Sequence, residues 1–291
     1  MSDNFLPNES KPTRPPENSS PAATEPAWII VTHARTRRFH QLTAVDGLTL
    51  AVSEGQVFGL LGPNGAGKST VMKMLVTLLP PTSGTAKIAG YDLLSQPALV
   101  RRSIGYVPQL LSADGMLTGY ENLLIFAQLY DLSRKEQAAR IDQALTSAGL
   151  QDAANRLVNT YSGGMIRRLE VVTAMLHRPR VLFLDEPTVG LDPVARHAIW
   201  RQVESLVAEH GTTVVITTHL MEEADALCDR IAIMTSGKIC ALGSVDELKA
   251  AMQTPGATLD DVFSHFAGSP TKVGEQFRDI ATTRRSAARL G

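Results

Sequence analysis

The chain has 291 residues, and its 28 Lys and Arg residues nearly balance its 29 Asp and Glu residues, leaving a net charge of −1. A chain of this length is expected to form one large domain with short appendages. The balanced charge gives no indication of binding to nucleic acid or to an anionic membrane surface. The two cysteines, Cys228 and Cys240, lack the spacing of metal ligands and are predicted to be buried apolar residues in a reducing compartment.

The two ends of the chain differ in composition from the rest. Residues 1–26 contain six of the 16 prolines amid Ser, Asn and Glu, which predicts a disordered tail. Residues 270–291 carry five basic residues against two acidic ones and predict a solvated basic helix. No stretch approaches the roughly 18 consecutive apolar residues that span a bilayer, and no signal peptide pattern opens the chain. The sequence therefore predicts a soluble protein that is not secreted.

Between these ends, short apolar runs alternate with helical periodicity, a pattern typical of an α/β fold with a largely parallel sheet. Three nearly continuous apolar runs predict strands that are buried on both faces: Val57–Leu61, Val181–Leu184 and Val214–Ile216. Each run is followed by residues capable of chemistry. Because ligands of such sheets bind beyond the carboxyl ends of the strands, these residues are expected to share one site.

The first run leads into a glycine-rich loop that fits the pattern G-x-x-x-x-G-K-[ST]. The loop and the residue after it comprise Gly62, Pro63, Asn64, Gly65, Ala66, Gly67, Lys68, Ser69 and Thr70. An apolar-periodic stretch follows, formed by Val71, Met74, Leu75 and Leu78. A strand, this loop and a helix together predict a phosphate-binding loop, in which backbone amides face phosphates, Lys68 reaches the β and γ phosphates and Ser69 can bind Mg²⁺. A glycine-rich turn with a surface lysine is the alternative.

Helical signals dominate residues 112–178, which predicts a helical subdomain. Two capping boxes, Thr118 with Glu121 and Ser133 with Glu136, mark helix starts. The second helix is predicted to stop at Gly149 and to have one apolar face, formed by Ala138, Ile141, Leu145 and Ala148.

A third helix is predicted after Ser162, with Met165, Leu169, Val172 and Met175 on its apolar face. Ser162 is the expected N-cap, and Gly163 and Gly164 follow it. A capped, glycine-opened helix start is a second place for an anion, which suggests a second nucleotide and dimerisation. A capped helix without a ligand is the alternative.

Two adjacent carboxylates, Asp185 and Glu186, end the second apolar run. If the extended geometry persists, they point to opposite faces and have different roles. Asp185 would then hold Mg²⁺, directly or through water, and Glu186 would act on the attacking water as general base or polariser. An ordinary acidic turn before Pro187 is the alternative.

The order of these motifs resembles that of the ABC ATPases over residues 27–248. Besides the phosphate loop, Ser162-Gly163-Gly164 and the two carboxylates, the resemblance rests on Gln109, Gly190-Leu191-Asp192 and His219. It implies a P-loop NTPase (RecA-like) core with an N-terminal antiparallel β subdomain and the inserted α-helical subdomain. It also implies that ATP is bound with Mg²⁺ and hydrolysed.

The resemblance gives further roles to single residues. Phe39 would stack on adenine, Gln109 would contact Mg²⁺ or the attacking water, and His219 would bind the γ-phosphate and orient Glu186. Ser162 and its two glycines would contact ATP held by an opposing cassette in a head-to-tail dimer, which a second copy of this chain is expected to supply. Asp192 would cross the dimer interface, and it is also a predicted N-cap before Pro193.

Two features point within the family to cassettes related to daunorubicin-type drug exporters. Tyr161 and Met165 replace the leucine and glutamine that are most common around the Ser-Gly-Gly core, and a methionine at this place resembles these exporters. The stretch 257–263 resembles their C-terminal pattern. Leu259, Val262, Phe263 and Phe266 form an apolar helix face there, which favours packing within the chain. A hairpin is predicted just before, with strands at Ile231–Met234 and Ile239–Leu242.

The resemblance therefore implies the ATPase subunit of an ABC-2-type exporter of drugs or other hydrophobic compounds. The subunit is expected to lie at the cytoplasmic face of the membrane, attached to a separate transmembrane permease. Residues 249–291 are expected to form a C-terminal helical extension. Two alternatives are a soluble ABC ATPase in DNA repair or translation and a P-loop small-molecule kinase. The single cassette, the lack of coiled-coil heptads and the lack of a basic stripe argue against nucleic acid as a partner.

Overall fold

Strands and helices alternate along the chain in a computed structural model that describes residues 28–254 and 256–267. The strands are β1 Trp28–Phe39, β2 Leu42–Ser53, β3 Val57–Leu61, β4 Ser83–Ile88, β5 Tyr91–Asp92, β6 Ile104–Val107, β7 Val181–Asp185, β8 Thr213–Thr218, β9 Arg230–Thr235 and β10 Lys238–Ser244. The α-helices are α1 Lys68–Leu75, α2 Pro97–Ser103, α3 Gly119–Leu129, α4 Arg134–Ser147, α5 Gly163–Met175, α6 Pro193–His210, α7 Met221–Leu227, α8 Val245–Ala251 and α9 Leu259–Ala267. The predictions for residues 1–26 and 270–291 lie outside the described residues.

A six-stranded sheet in the order β10-β9-β3-β8-β7-β6 forms the centre of the molecule. Its neighbouring strands are parallel except for the antiparallel pair of β9 and β10. Every residue of β3, β7 and β8 is buried, so the three predicted strands are confirmed. Their carboxyl ends carry the phosphate loop, the two carboxylates and His219 at one edge of the sheet.

A second sheet is antiparallel, in the order β2-β1-β4-β5. Its inner side chains, among them Ile30 and Leu50, share one core with Met72 of α1 and Phe58 of β3. Helix α1 is therefore packed between the two sheets, which fixes the loop that precedes it. Helix α1 is shorter than the apolar-periodic stretch predicts. It ends at Leu75, and Leu78 is 64% exposed.

Helices α3, α4 and α5 form a helical unit with its own core, in which Leu123, Ile141 and Leu169 are fully buried. Both predicted capping boxes are present at the starts of α3 and α4. Helix α4 ends before Gly149, whose φ of +61° suits glycine. Ile141, Leu145 and Ala148 of the predicted apolar face are buried, and Ala138 is exposed.

The far side of the six-stranded sheet is covered by α6, α7, α8 and α9, which share a third core. Helix α9 buries Leu259, Val262 and Phe266 in this core, and Phe263 packs against it, so the prediction of intramolecular packing is confirmed. Cys228 and Cys240 are buried in the same core as free thiols, as predicted.

The predicted hairpin is formed by β9 and β10 around a turn of two residues, where Ser236 and Gly237 have φ angles of +47° and +80°. Within residues 28–254 and 256–267, no helix has both the length and the apolar character needed to cross a bilayer.

Candidate functional site

The phosphate loop connects β3 to α1, and Gly67 forms the N-cap of the helix with a φ of +103°. A Cβ atom at this position would lie 2.5 Å from the carbonyl oxygen of Ala44, so both the backbone angle and the space require glycine. The first amides of α1 have no partners within the helix and point towards the loop, where they add positive potential. The loop is thus shaped to bind an anion.

Lys68 is the first residue of α1, and only 4% of it is exposed. Its Nζ donates hydrogen bonds to the carbonyl oxygens of Gly62 (2.7 Å) and Pro63 (3.2 Å). The same Nζ lies 3.3 Å from Glu186 Oε1. A buried ammonium therefore stands at the mouth of the loop, next to one of the two predicted carboxylates.

Asp185 ends strand β7 and faces Ser69 across the loop. Its Oδ1 accepts hydrogen bonds from Ser69 Oγ at 3.2 Å and from Thr217 Oγ1 at 2.5 Å. A hydroxyl and a carboxylate are the hard oxygen donors that Mg²⁺ takes alongside water and phosphate oxygens, so this pair fits Mg²⁺. Burial, together with the charge of Asp185, raises the pKa of Tyr106 to about 12, which keeps that phenol neutral.

Glu186 departs from the extended geometry that the sequence analysis assumed. Its φ is +48°, so the chain turns sharply after β7 instead of sending the two carboxylates to opposite faces of a strand. Its amide donates to both the carbonyl oxygen (3.1 Å) and the hydroxyl (3.0 Å) of Thr217. Thr217 therefore fixes both carboxylates, a role that nothing in its local sequence indicates.

Three of the predicted residues contact the side chain of Glu186. Gln109 Nε2 donates to Glu186 Oε2 at 3.2 Å, and His219 Nδ1 lies 3.5 Å from Glu186 Oε1. Lys68 reaches the same Oε1. Glu186 itself is 5% exposed. A buried carboxylate with a cation, an amide and an imidazole around it is suited to binding and polarising a water molecule.

Ser162 and Asp192 cap two neighbouring helices. Ser162 Oγ accepts a hydrogen bond from the amide of Met165 at 3.3 Å, and Asp192 Oδ1 accepts one from the amide of Ala195 at 2.9 Å, so both predicted N-caps are confirmed. A Cβ atom on Gly164 would lie 2.7 Å from the Cβ atom of Ala195, so this glycine lets the starts of α5 and α6 pack closely. Ser162 and Gly163 remain exposed at the surface.

Phe39 ends strand β1, apart from the cluster around Glu186, and is 37% exposed. The guanidinium carbon of Arg37 lies 4.5 Å from the centre of its ring. Arg37 is held there by a 2.8 Å hydrogen bond to the carbonyl oxygen of Pro80. The partly exposed ring of Phe39 thus makes a cation–π contact with Arg37.

Two buried networks next to these residues were missed by the sequence analysis. Arg167 and Glu170 of α5 form an ion pair of 2.9 Å and bind the segment that carries Gln109. Glu223 of α7 accepts hydrogen bonds from Thr188 (2.7 Å) and Trp200 (3.2 Å), which links α7 to the segment after Glu186 and to α6. The available signal was the presence of charged residues among the apolar residues of a buried helix.

Comparisons with known proteins agree with this arrangement. The family model described as ABC transporter matches residues 45–189, which include the phosphate loop and both carboxylates. The daunorubicin/doxorubicin resistance ATP-binding protein DrrA of Streptomyces peucetius is 46% identical over 229 residues, which cover 79% of this chain and 69% of that protein. The chain belongs to the ABC transporter ATP-binding proteins. This ABC subunit therefore binds and hydrolyses ATP, and the alternative of a soluble ABC ATPase in DNA repair or translation is not favoured.

Solved structures have the same fold as this ABC subunit. The structure of an ATP-binding subunit of an ABC transporter has a TM-score of 0.74 at 29% identity and covers 82% of this chain and 99% of its own. A dimeric ATP-binding cassette in a post-hydrolysis state, bound to ADP and Pi, has a TM-score of 0.66 at 28% identity and covers 74% and 98%. The predicted fold class, a P-loop ATPase of the ABC type, is confirmed.

Proposed function

We propose that this ABC subunit powers the export of drugs or other hydrophobic compounds through a separate ABC-2-type permease. Its 46% identity to a daunorubicin/doxorubicin resistance ATP-binding protein is the observation that carries the proposal. Met165 after the two glycines and the 257–263 stretch support it, because both resemble the corresponding places in drug-exporter cassettes. The transported compound would be selected by the permease.

In this proposal the phosphate loop, Gly62 to Thr70, binds the phosphates of ATP. The buried ammonium of Lys68 would exchange its contacts with the carbonyl oxygens of Gly62 and Pro63 for phosphate oxygens. Ser69 and Asp185 would hold Mg²⁺, with Gln109 as a further ligand, and the ion would neutralise phosphate charge. Phe39, whose ring is partly exposed, would stack on adenine.

Hydrolysis would depend on Glu186. Its carboxylate would accept a proton from the attacking water, and the contacts from Gln109, Lys68 and His219 would hold it in the required orientation. His219 would also donate to the γ-phosphate as negative charge develops there. The strained backbone of Glu186 supports this role, because left-handed residues other than glycine cluster at functional sites.

A head-to-tail dimer would complete the site. Ser162, Gly163 and Gly164 at the start of α5 would contact the γ-phosphate of ATP bound to a second copy of the chain. Asp192 lies at the adjacent start of α6 and would cross the interface. The exposure of Ser162 and Gly163 supports this assignment, as does the dimeric form of the similar ADP-bound cassette.

The permease is expected to dock near Gln109 and so to hold the subunit at the cytoplasmic face of the membrane. Three large apolar residues are exposed just after Gln109: Leu110 (82%), Leu111 (49%) and Met116 (76%). Exposed apolar residues grouped in one segment are typical of a protein contact. Gln109 would then report the state of the nucleotide to the helical subdomain at 112–178, within the cassette of residues 27–248.

The test is affinity capture of the full chain from detergent-solubilised membranes, with ATPase activity assayed in the same sample. Recovery of a permease with several transmembrane helices supports the proposal. A chain carrying Leu110→Ser and Met116→Ser should lose the permease and keep its ATPase activity. Trp28→Ser, an exposed residue (51%) outside this segment, is the matched control and should keep both. Capture of ribosomes or DNA without a membrane protein would overturn the transport assignment.

A further inference from the structure

Helix α5 contains a buried ion pair among apolar neighbours. Arg167 Nη1 lies 2.9 Å from Glu170 Oε2, and the two residues are 3% and 6% exposed. Their neighbours in α5, Leu169 and Val171, are apolar and fully buried. Because burying two charges costs several kcal/mol per ion before compensation, such a pair needs further partners to be tolerated.

The further partners of Arg167 lie on the segment that follows β6. Its Nη1 donates to the carbonyl oxygen of Pro108 at 2.7 Å, and its Nη2 donates to that of Gln109 at 2.6 Å. Burial lowers the pKa of Arg167, and the charge of Glu170 opposes that shift. The guanidinium holds two consecutive carbonyl groups in its planar fork.

Glu170 binds the same segment from the other side of the pair. Its Oε1 accepts hydrogen bonds from the amide and hydroxyl of Ser112, the latter at 3.0 Å, and from the amide of Ala113 at 3.2 Å. The ion pair thus contacts residues 108–113 through both carbonyl and amide groups. All these contacts join one face of α5 to the short segment that contains Gln109.

The segment of residues 108–113 connects two places that are proposed to act on nucleotide, Glu186 and the start of α5 at Ser162. The side chain of Gln109 contacts Glu186 at one end, and α5 begins beside Ser162 at the other. Arg167 lies only five positions beyond Ser162, in the same rigid helix. Five hydrogen bonds therefore connect the segment that contains Gln109 to the helix that begins beside Ser162.

We propose that Arg167 and Glu170 are a positioning pair that makes Gln109 and the Ser162 end of α5 move as one body. The pair links the contact at Glu186, in one nucleotide site, to the helix start that faces the second nucleotide. This inference rests on the roles proposed above for Gln109 and Ser162. Arg167 and Glu170 touch no reacting atom and act through Gln109.

The chain offers a matched pair of substitutions. Lysine at position 167 keeps the charge, but its single amine cannot reproduce the fork on the carbonyl groups of Pro108 and Gln109. Arg168, the next residue, donates instead to the carbonyl oxygen of Ala148 within the helical unit (2.5 Å). Arg168→Lys therefore controls for the loss of an arginine contact to a backbone carbonyl, at a half-buried position that does not touch residues 108–113. Glu170→Gln tests the pair from the other side. The NH₂ group of glutamine cannot accept the hydrogen bonds that Glu170 accepts from Arg167, Ser112 and Ala113.

The experiment is a double-mutant cycle on the ATPase activity of the full chain. Arg167→Lys is expected to lower kcat about tenfold, with KM for ATP changed less than about twofold. In a Gln109→Ala background the same substitution should lower kcat no further. Arg168→Lys should leave kcat within about twofold in both backgrounds. Glu170→Gln should behave like Arg167→Lys.

The outcomes distinguish the role of the ion pair from the role of Gln109. Effects of Arg167→Lys and Gln109→Ala that multiply independently would overturn the positioning role, since the pair would then act on general stability. Equal losses for Arg167→Lys and Arg168→Lys would do the same. A normal kcat for Gln109→Ala would instead contradict the role proposed for Gln109. If Arg167→Lys does not fold, Glu170→Gln decides the question in the same cycle.

Discussion

The backbone of Glu186 shows how the site positions a single carboxylate. A residue other than glycine at a φ of +48° costs on the order of 1–3 kcal/mol, and the two hydrogen bonds from its amide to Thr217 help to offset that cost. This turn brings the side chain back to Lys68, Gln109 and His219. The strain thus aims the carboxylate at the phosphate loop.

Replacing Glu186 with glutamine should separate binding from turnover. The amide keeps the shape of the side chain but cannot accept a proton from water, so kcat is expected to fall about 10²–10⁴-fold while ATP still binds. Bound ATP should then accumulate in a trapped dimer, which size-exclusion chromatography with Mg-ATP would detect. Normal hydrolysis by this variant would rule out Glu186 as the general base.

Replacing Lys68 with alanine should act on ATP binding itself. The variant loses the buried ammonium at the mouth of the phosphate loop, so its affinity for ATP should fall, as measured by isothermal titration calorimetry. Lys73→Ala is the matched control, because Lys73 lies in the same helix and is exposed. Wild-type affinity in Lys68→Ala would mean that the loop is not the phosphate site.

At the scale of elements, the sequence predicts regular structure well and misses contacts between elements. The apolar runs of β3, β7 and β8 and the capping boxes of α3 and α4 depend on local pattern, and they are confirmed. Thr217 could not be found this way, because its role depends on the pairing of Asp185 with Thr217 in neighbouring strands.

The ion pair of α5 was missed for a related reason. A basic and an acidic residue three positions apart are expected on the exposed face of a helix, where they stabilise it weakly. Arg167 and Glu170 are instead buried, because residues 108–113 supply the backbone groups that compensate their charges. Those partners are distant in sequence, so only the tertiary structure brings them together.

His177 gives the junction between α5 and β6 a pH dependence. Its ring stacks on Tyr130 with 3.8 Å between centroids, and its Nε2 lies 3.0 Å from the carbonyl oxygen of Ile104. Burial lowers the pKa of His177, the hydrogen bond to Ile104 opposes the shift, and Arg140 adds to it. His177 therefore binds a proton less readily in the folded chain than in the unfolded chain, where it is protonated below a pH of about 6.5.

Proton linkage gives the direction in which stability changes with pH. Because the unfolded state binds more protons just below this pH, stability is full above about pH 6.5 and falls as the pH drops towards the folded pKa. His177→Gln should flatten this fall, as measured by urea unfolding between about pH 5.5 and 7.5. His210→Gln, at an exposed histidine, is the control and should leave the slope unchanged. An unchanged slope in His177→Gln would exclude this histidine as its source.

At the scale of the whole molecule, the antiparallel sheet was expected only from the resemblance to ABC ATPases. Local pattern could not show that β1 pairs with both β2 and β4, since β4 follows β1 by more than forty residues. Nor could it show that this sheet and α1 share one core with β3. The placement of the phosphate loop therefore depends on contacts between distant parts of the chain.

The last helix lies beyond residue 248 and packs against the rest of the described chain. Helix α9 inserts Leu259, Val262 and Phe266, all at most 4% exposed, into the core that also contains α6, α7 and the far face of the six-stranded sheet. Helix α1 and the phosphate loop pack in a different core, on the other side of that sheet. Loosening α9 should therefore affect the stability of the molecule more than its ATP site.

Phe266→Ala tests this separation. Removing a buried phenyl ring should lower the free energy of unfolding by about 3–5 kcal/mol, while KM for ATP stays within about twofold below the unfolding transition. The control is Ser264→Ala, an exposed position on the same helix, which should change neither quantity. Stability comes from urea unfolding and KM from steady-state ATPase assays. An unchanged unfolding energy in Phe266→Ala would show that α9 is a detachable appendage, and a large rise in KM would show that its packing reaches the nucleotide site.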